Sequence, residues 1–73
     1  MAKHNVESEV TGNVWKVLLE AGATVEAGDV IIILESMKME IPVEATVAGT
    51  IVEVLVAPEA QVEEDQVLAV IEN

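Results

Sequence analysis

The chain has 73 residues, near the lower limit for a self-sufficient core, and reads as one domain over residues 1–73. Fourteen acids stand against Lys3, Lys16 and Lys38, with no arginine, for a formal net charge of −11; nucleic acids and anionic membranes need basic surface and are excluded as partners. The absence of cysteine excludes disulfides, thiolate chemistry and a zinc knuckle.

In chain order, Lys3 is followed by polar His4, Asn5 and Glu7, so no signal-peptide core follows the N-terminus. His4 has no second His or Cys to make a metal site and reads as a solvated terminal side chain. Val14–Leu19 is a first β-branched stretch; Lys16 beside Trp15 can lay its stem over apolar surface. Gly22 and Gly28-Asp29 read as two turns around a short strand. Val30–Leu34, as long as any apolar run in the chain, is far too short to cross a bilayer. Glu35-Ser36-Met37-Lys38-Met39 then reads as a hairpin tip. Gly49–Val56 is a third stretch, with weak alternation suited to a strand packed on both sides. Pro58–Glu64 looks helical by propensity, with proline suited to a first turn. Glu63-Glu64-Asp65 reads as a solvated turn, and Val67–Ile71 is a last strand.

A repeat reorganises these pieces. Shifted by 37 residues, the chain matches itself without a gap. Val6, Glu7 and Val10 fall on Val43, Glu44 and Val47; Gly12, Val17 and Leu18 fall on Gly49, Val54 and Leu55. Ala23, Val25 and Glu26 fall on Ala60, Val62 and Glu63, while Val30 and Glu35 fall on Val67 and Glu72. Residues 1–36 and 38–73 are therefore two copies of a unit that cannot bury its apolar face alone, expected to pack about an approximate two-fold axis. Residues 58–64 align with 21–27, so the repeat overrules helical propensity and predicts turn–strand–turn in both. About four short strands per half give an all-β, eight-stranded flattened barrel or sandwich. Lys38 lies at the seam and is the repeat equivalent of residue 1, which predicts that it stands at the pole opposite the chain ends.

Gly12, Gly22-Ala23, Gly28-Asp29, Met37-Lys38-Met39 and Gly49, in this order over nearly the whole chain, resemble the biotinyl/lipoyl carrier domain family. The resemblance implies a flattened β-barrel of two quasi-symmetric four-stranded antiparallel sheets, with Lys38 on an exposed hairpin as the covalent attachment point. The gapless repeat leaves no room for a protruding loop in the first half, so this is a thumbless version. Methionine on both sides of the lysine is the biotinyl pattern; lipoyl domains usually carry Asp before it and a small residue after. Biotin is therefore the implied cofactor, with lipoate, or acceptance of both, as the alternative. Met37, Met39, Glu35 and Ser36 are the implied recognition residues for a biotin protein ligase. Ser36 stands where Ala is commonest. In the second half Glu59-Ala60 and Asp65-Gln66 replace the Gly-containing turns, at roughly 1 kcal/mol wherever a positive φ is required.

The same resemblance implies a non-catalytic carrier that passes a carboxyl group from a biotin carboxylase to a carboxyltransferase. An ammonium group in water is deprotonated about once in 2,500 at pH 7, and no base adjoins Lys38 in sequence, so activation must come from the ligase. An unmodified interaction module, in which Lys38 is simply a turn lysine, is a further alternative. An enzyme fares worst, because the chain has no Cys, Tyr or Arg and no His/acid pairing in a recognisable motif. The chain is expected to be a cytoplasmic monomer, and its initiating Met1 and lack of a tether read as a free-standing protein.

Overall fold

The computed structural model describes residues 2–73, and every regular element among them is a β-strand. These are β1 (Lys3–Glu7), β2 (Gly12–Val17), β3 (Thr24–Val25), β4 (Val30–Ser36), β5 (Met39–Glu44), β6 (Gly49–Val54), β7 (Gln61–Val62) and β8 (Val67–Glu72). They form two four-stranded sheets of order β1-β8-β6-β3 and β5-β4-β2-β7, every pairing antiparallel. The apolar stretches become strands with ends displaced by up to about two residues, the usual uncertainty of a sequence reading.

The sheets are not the two halves of the sequence. The first contains β1 and β3 from the first copy with β6 and β8 from the second; the other contains β2 and β4 with β5 and β7. The interleaving extends to single hydrogen bonds: Gly22 N donates to Ile51 O and Glu59 N to Val14 O, contacts related by the 37-residue shift. Irregularities repeat as well. β2 is bulged at Trp15 against β4, and β6 at Val52 against β8, while Ile31 and Leu68 are the extra residues opposite β5 and β1. Bulges at the same place in each copy bend the sheets so that they close on one another.

Between the sheets lies a core built from repeat-related pairs: Val6 with Val43, Val14 with Ile51, Val25 with Val62, Ile31 with Leu68, Ile32 with Ala69 and Leu34 with Ile71, all buried. Each pair contributes one aliphatic side chain from either copy, and the interior is filled without an aromatic ring. Ser8 is the only buried polar side chain among the described residues; its Oγ donates to Val10 O at 2.6 Å and accepts from Val10 N. Its apolar counterpart is the buried Ala45.

Residues 58–64 contain the two-residue strand β7 between turns and no helix, because Glu59 and Asp65 take left-handed φ values of 73° and 70°. Their repeat partners are Gly22 and Gly28, at 99° and 96°. The second turn survives the loss of Asp by substitution of function: Gln66 Oε1 accepts from Glu63 N at 2.9 Å, as Asp29 Oδ2 accepts from Glu26 N at 2.9 Å. His4 is half-buried rather than a free solvated side chain, its Nε2 lying 3.1 Å from Asn73 Oδ1.

The chain ends come together. Met1, the repeat equivalent of Lys38, lies outside the described residues, but Ala2 and Asn73 exchange two backbone hydrogen bonds of 2.9 and 3.0 Å. From there β1 runs away along β8, and its continuation brings Thr11 to Ser36, so the β4–β5 tip sits at the opposite end from the termini.

A left-handed conformation costs an L-residue about 1–2 kcal/mol, against the roughly 0.5–1 kcal/mol that glycine loses in unfolded-chain entropy. Glu59→Gly should therefore raise stability by about 0.5–1 kcal/mol, read as a higher urea midpoint. Asp65→Gly should gain less, because Asp tolerates this region better. A lowered midpoint for Glu59→Gly would show that the Glu59 side chain stabilises its turn.

Candidate functional site

The Met37-Lys38 loop is the shortest connection that joins adjacent antiparallel strands. Ser36 and Met39 form the last cross-strand pair, and the two loop residues have φ of 51° and 66°. Two successive positive φ values are the signature of a type I′ turn, whose twist matches the flanking strands and which normally selects Asn-Gly. Met-Lys holds this shape at about 1–2 kcal/mol per residue. Such strain persists where surrounding structure over-determines it. Here β4 is the longest strand, is hydrogen-bonded to β5 on one side and β2 on the other, and buries Ile31, Ile32 and Leu34.

Two local devices fix the base of the hairpin. A Cβ on Gly12 would collide with the carbonyl oxygen of Glu35, so only glycine lets β2 approach β4 this closely at the Asn13–Glu35 pair. Ser36 Oγ then donates to Thr11 O at 2.8 Å, tying the hairpin to the loop that enters β2. Both recur at the other pole, where Gly49 crowds Glu72 O and Asn73 Nδ2 donates to Ala48 O at 3.2 Å. The two ends of the barrel share their supports. One is closed by a turn that carries an amine, the other by the chain termini.

The turn projects what it carries. Met37 is 92% exposed and Met39 64%, a large exposure for thioethers that decides against a core-filling role; Lys38 is exposed between them. Glu35 and Glu40 face each other directly one pair below, both exposed. Like charges in that position are destabilising, so they are not there to hold the hairpin together, and they set a negative collar beneath the amine. Ser36 is half-buried, and its hydroxyl is engaged by the Thr11 carbonyl in an exposed hydrogen bond.

Of the residues singled out from sequence, Met37, Lys38, Met39 and Glu35 thus share one exposed tip, while Ser36 ties its base to Thr11. Sequence reasoning missed a shallow groove beside that tip, on the outer side of the same sheet, lined by Asn13, Val14, Trp15, Glu35, Glu59 and Gln61. Trp15 carries Lys16 over one ring face, with Nζ 4.5 Å from the ring centroid. The available signal was the repeat itself, since Trp15 falls on Val52. A larger groove between the edge strands β1 and β5 is walled by the repeat-related pairs Val6/Val43 and Glu7/Glu44, so it contains little that belongs to one pole alone. Among the described residues no group of three His, Cys, Asp or Glu side chains is disposed to hold a metal. Chemically, the site is a primary amine held outward on a stiff base, suited to be acylated by another protein.

Comparison with known proteins agrees with this geometry. A family model described as "Biotin-requiring enzyme" matches residues 4–71. The "Biotin/lipoyl attachment protein" of Bacillus subtilis is 52% identical over 40 residues, covering 55% of this chain and 55% of that one. "Biotinylated protein TB7.3" of Mycobacterium bovis is 46% identical over 41 residues, 56% of this chain and 58% of its own. These matches span little more than half the length of either relative. Among solved structures, the urea carboxylase of Kluyveromyces lactis superposes with a TM-score of 0.93 at 39% identity, covering 99% of this chain and 6% of that enzyme. A single-chain, multi-domain long-chain acyl-CoA carboxylase superposes at 0.85 with 34% identity, covering 93% of this chain and 7% of its own.

Ser36→Ala removes the bond to Thr11 and should cost about 0.5–1.5 kcal/mol. The expected result is a lower urea midpoint with faster amide exchange at Met39. An unchanged midpoint and exchange rate would show that the bond contributes nothing to holding the tip.

Proposed function

This chain belongs to the biotinyl/lipoyl attachment family, and we propose that it is a biotin carboxyl carrier with Lys38 as the attachment point. The observation that carries the reading is the exposed Met37-Lys38-Met39 tip, an amine flanked by two thioethers on a two-residue turn. Flexible, polarizable methionines suit contact with several partners in succession, which a carrier requires. The partners of this reading are a biotin protein ligase, then a biotin carboxylase and a carboxyltransferase. The strong negative charge suits docking to basic surfaces on such proteins.

In the modification step the Lys38 amine, in its neutral form, attacks the acyl carbon of biotinyl-adenylate held by the ligase, and one of its two N–H protons passes to the ligase or to solvent. The C–N amide bond forms as the acyl C–O bond to AMP breaks, and AMP leaves with the electron pair. Met37 and Met39 position the tip, and Glu35 and Glu40 add charge for the ligase to read. Ser36 acts on the tip through Thr11. When attached, biotin supplies the carboxyl-carrying chemistry, while the chain supplies position and reach. The protein itself needs no catalytic group, and its proposed setting is the cytoplasm, as a monomer between encounters. Lipoate at the same lysine is a second reading, favoured by the name of the Bacillus relative.

Intact mass and peptide mapping after incubation with biotin protein ligase, ATP and biotin should show one biotin on Lys38 and none on Lys3 or Lys16. Lys38→Ala should fold normally and take none; retained labelling in that variant refutes the assignment. In a parallel reaction with lipoate and its ligase, Met37→Asp should move preference toward lipoate. Unchanged selectivity would show that the flanking residues are not what the ligases read.

A further inference from the structure

Repeat-related positions face similar structural demands, so residues that differ between the poles mark what the fold does not require. The groove beside the lysine tip differs in this way. Its Val14 and Glu35 correspond to Ile51 and Glu72, but Asn13, Trp15, Glu59 and Gln61 correspond to Thr50, Val52, Gly22 and Thr24. Two amide side chains and the only aromatic residue of the types Phe, Tyr and Trp are thus gathered at the pole that presents the amine.

We propose that this groove is a resting dock for the cyclic urea head of the arm attached to Lys38. The proposal deepens the biotin reading and rests on it. A cyclic urea has two N–H donors and one carbonyl acceptor. The Glu35 carboxylate and the amide oxygens of Asn13 and Gln61 supply acceptors, and the Asn13 and Gln61 amide nitrogens supply donors. Lys16 covers one face of Trp15, and the ring, which remains partly exposed, offers apolar surface to the sulfur-containing ring fused to the urea. The arm is long enough: Glu35 is three residues before Lys38, so their backbones are at most about 11 Å apart. An extended lysine side chain joined to a valeryl chain exceeds that distance. A tether this short presents the head at an effective concentration on the order of millimolar, so even a millimolar dock is about half filled. Such a dock would keep the head near its own domain between encounters and release it readily to an active site.

The test uses the full chain, loaded on Lys38 and checked by intact mass, with Trp15 as the sole tryptophan reporter. Biotinylation should shift Trp15 emission to the blue and cut its acrylamide quenching by up to about half, as expected for a half-filled dock. The double variant Asn13→Thr/Gln61→Thr installs the residues already present at the opposite pole, so it should fold and load equally. Its emission should respond far less to loading. Wild-type chain carrying a lipoyl arm, which has no urea, should show little change. Full biotin load with unchanged emission overturns the dock and leaves the carrier reading intact. Equal responses in the variant or the lipoylated chain overturn recognition of the urea. A chain that takes no biotin overturns the carrier reading and the dock together.

Discussion

Each sheet is completed by strands from the other copy of the repeat: β3 hydrogen-bonds to β6, and β7 to β2. That exchange is the constraint on which the structure depends. A chain this short gains little from burial and has no disulfide to supplement it. Interleaving puts strands of both copies in each sheet, so neither copy can complete a sheet alone. The core pairs Val14/Ile51 and Leu34/Ile71 show the result, with repeat-related side chains filling one interior. Closure about the axis also places the connection between copies at one end and the chain ends at the other. The position of Lys38 therefore follows from how the barrel closes.

Backbone strain is distributed accordingly. Four non-glycine residues have positive φ among the described residues: Met37, Lys38, Glu59 and Asp65. Glu59 and Asp65 occupy turns whose counterparts are glycines, which reads as drift tolerated by a barrel already closed. The left-handed pair at Met37 and Lys38 is different, because it defines the tip that offers the amine. Its support comes from a central strand, the close approach at Gly12, and the Ser36–Thr11 bond. The same Gly49 and Asn73 devices at the other pole show that these supports belong to the barrel and serve the site secondarily.

Much of this is legible in the repeat alone. It turned residues 58–64 from a helix by propensity into turn–strand–turn, and it separated Lys38 from the termini. The glycine pair Gly12 and Gly49 signalled a backbone demand, although not which carbonyl imposed it. What stayed hidden depends on partners distant in sequence. The pairing of β3 with β6 and of β7 with β2, each a strand of the opposite copy, is a decision that strand propensity does not encode. The hydrogen bond that engages Ser36 depends on Thr11, and the anchoring of His4 depends on Asn73. The groove at Trp15 arises where a bulged strand meets a turn from the far end of the chain.

A carrier differs from a merely modified protein in that its arm must be served by an enzyme and give up what it carries. The most direct measurement is transfer of labelled bicarbonate carbon to the fully biotinylated chain by a biotin carboxylase with ATP. The label should appear on the chain in proportion to its biotin and pass to an acceptor when a carboxyltransferase is added. A fully biotinylated chain that acquires no label, under conditions where a known carrier does, would contradict the account.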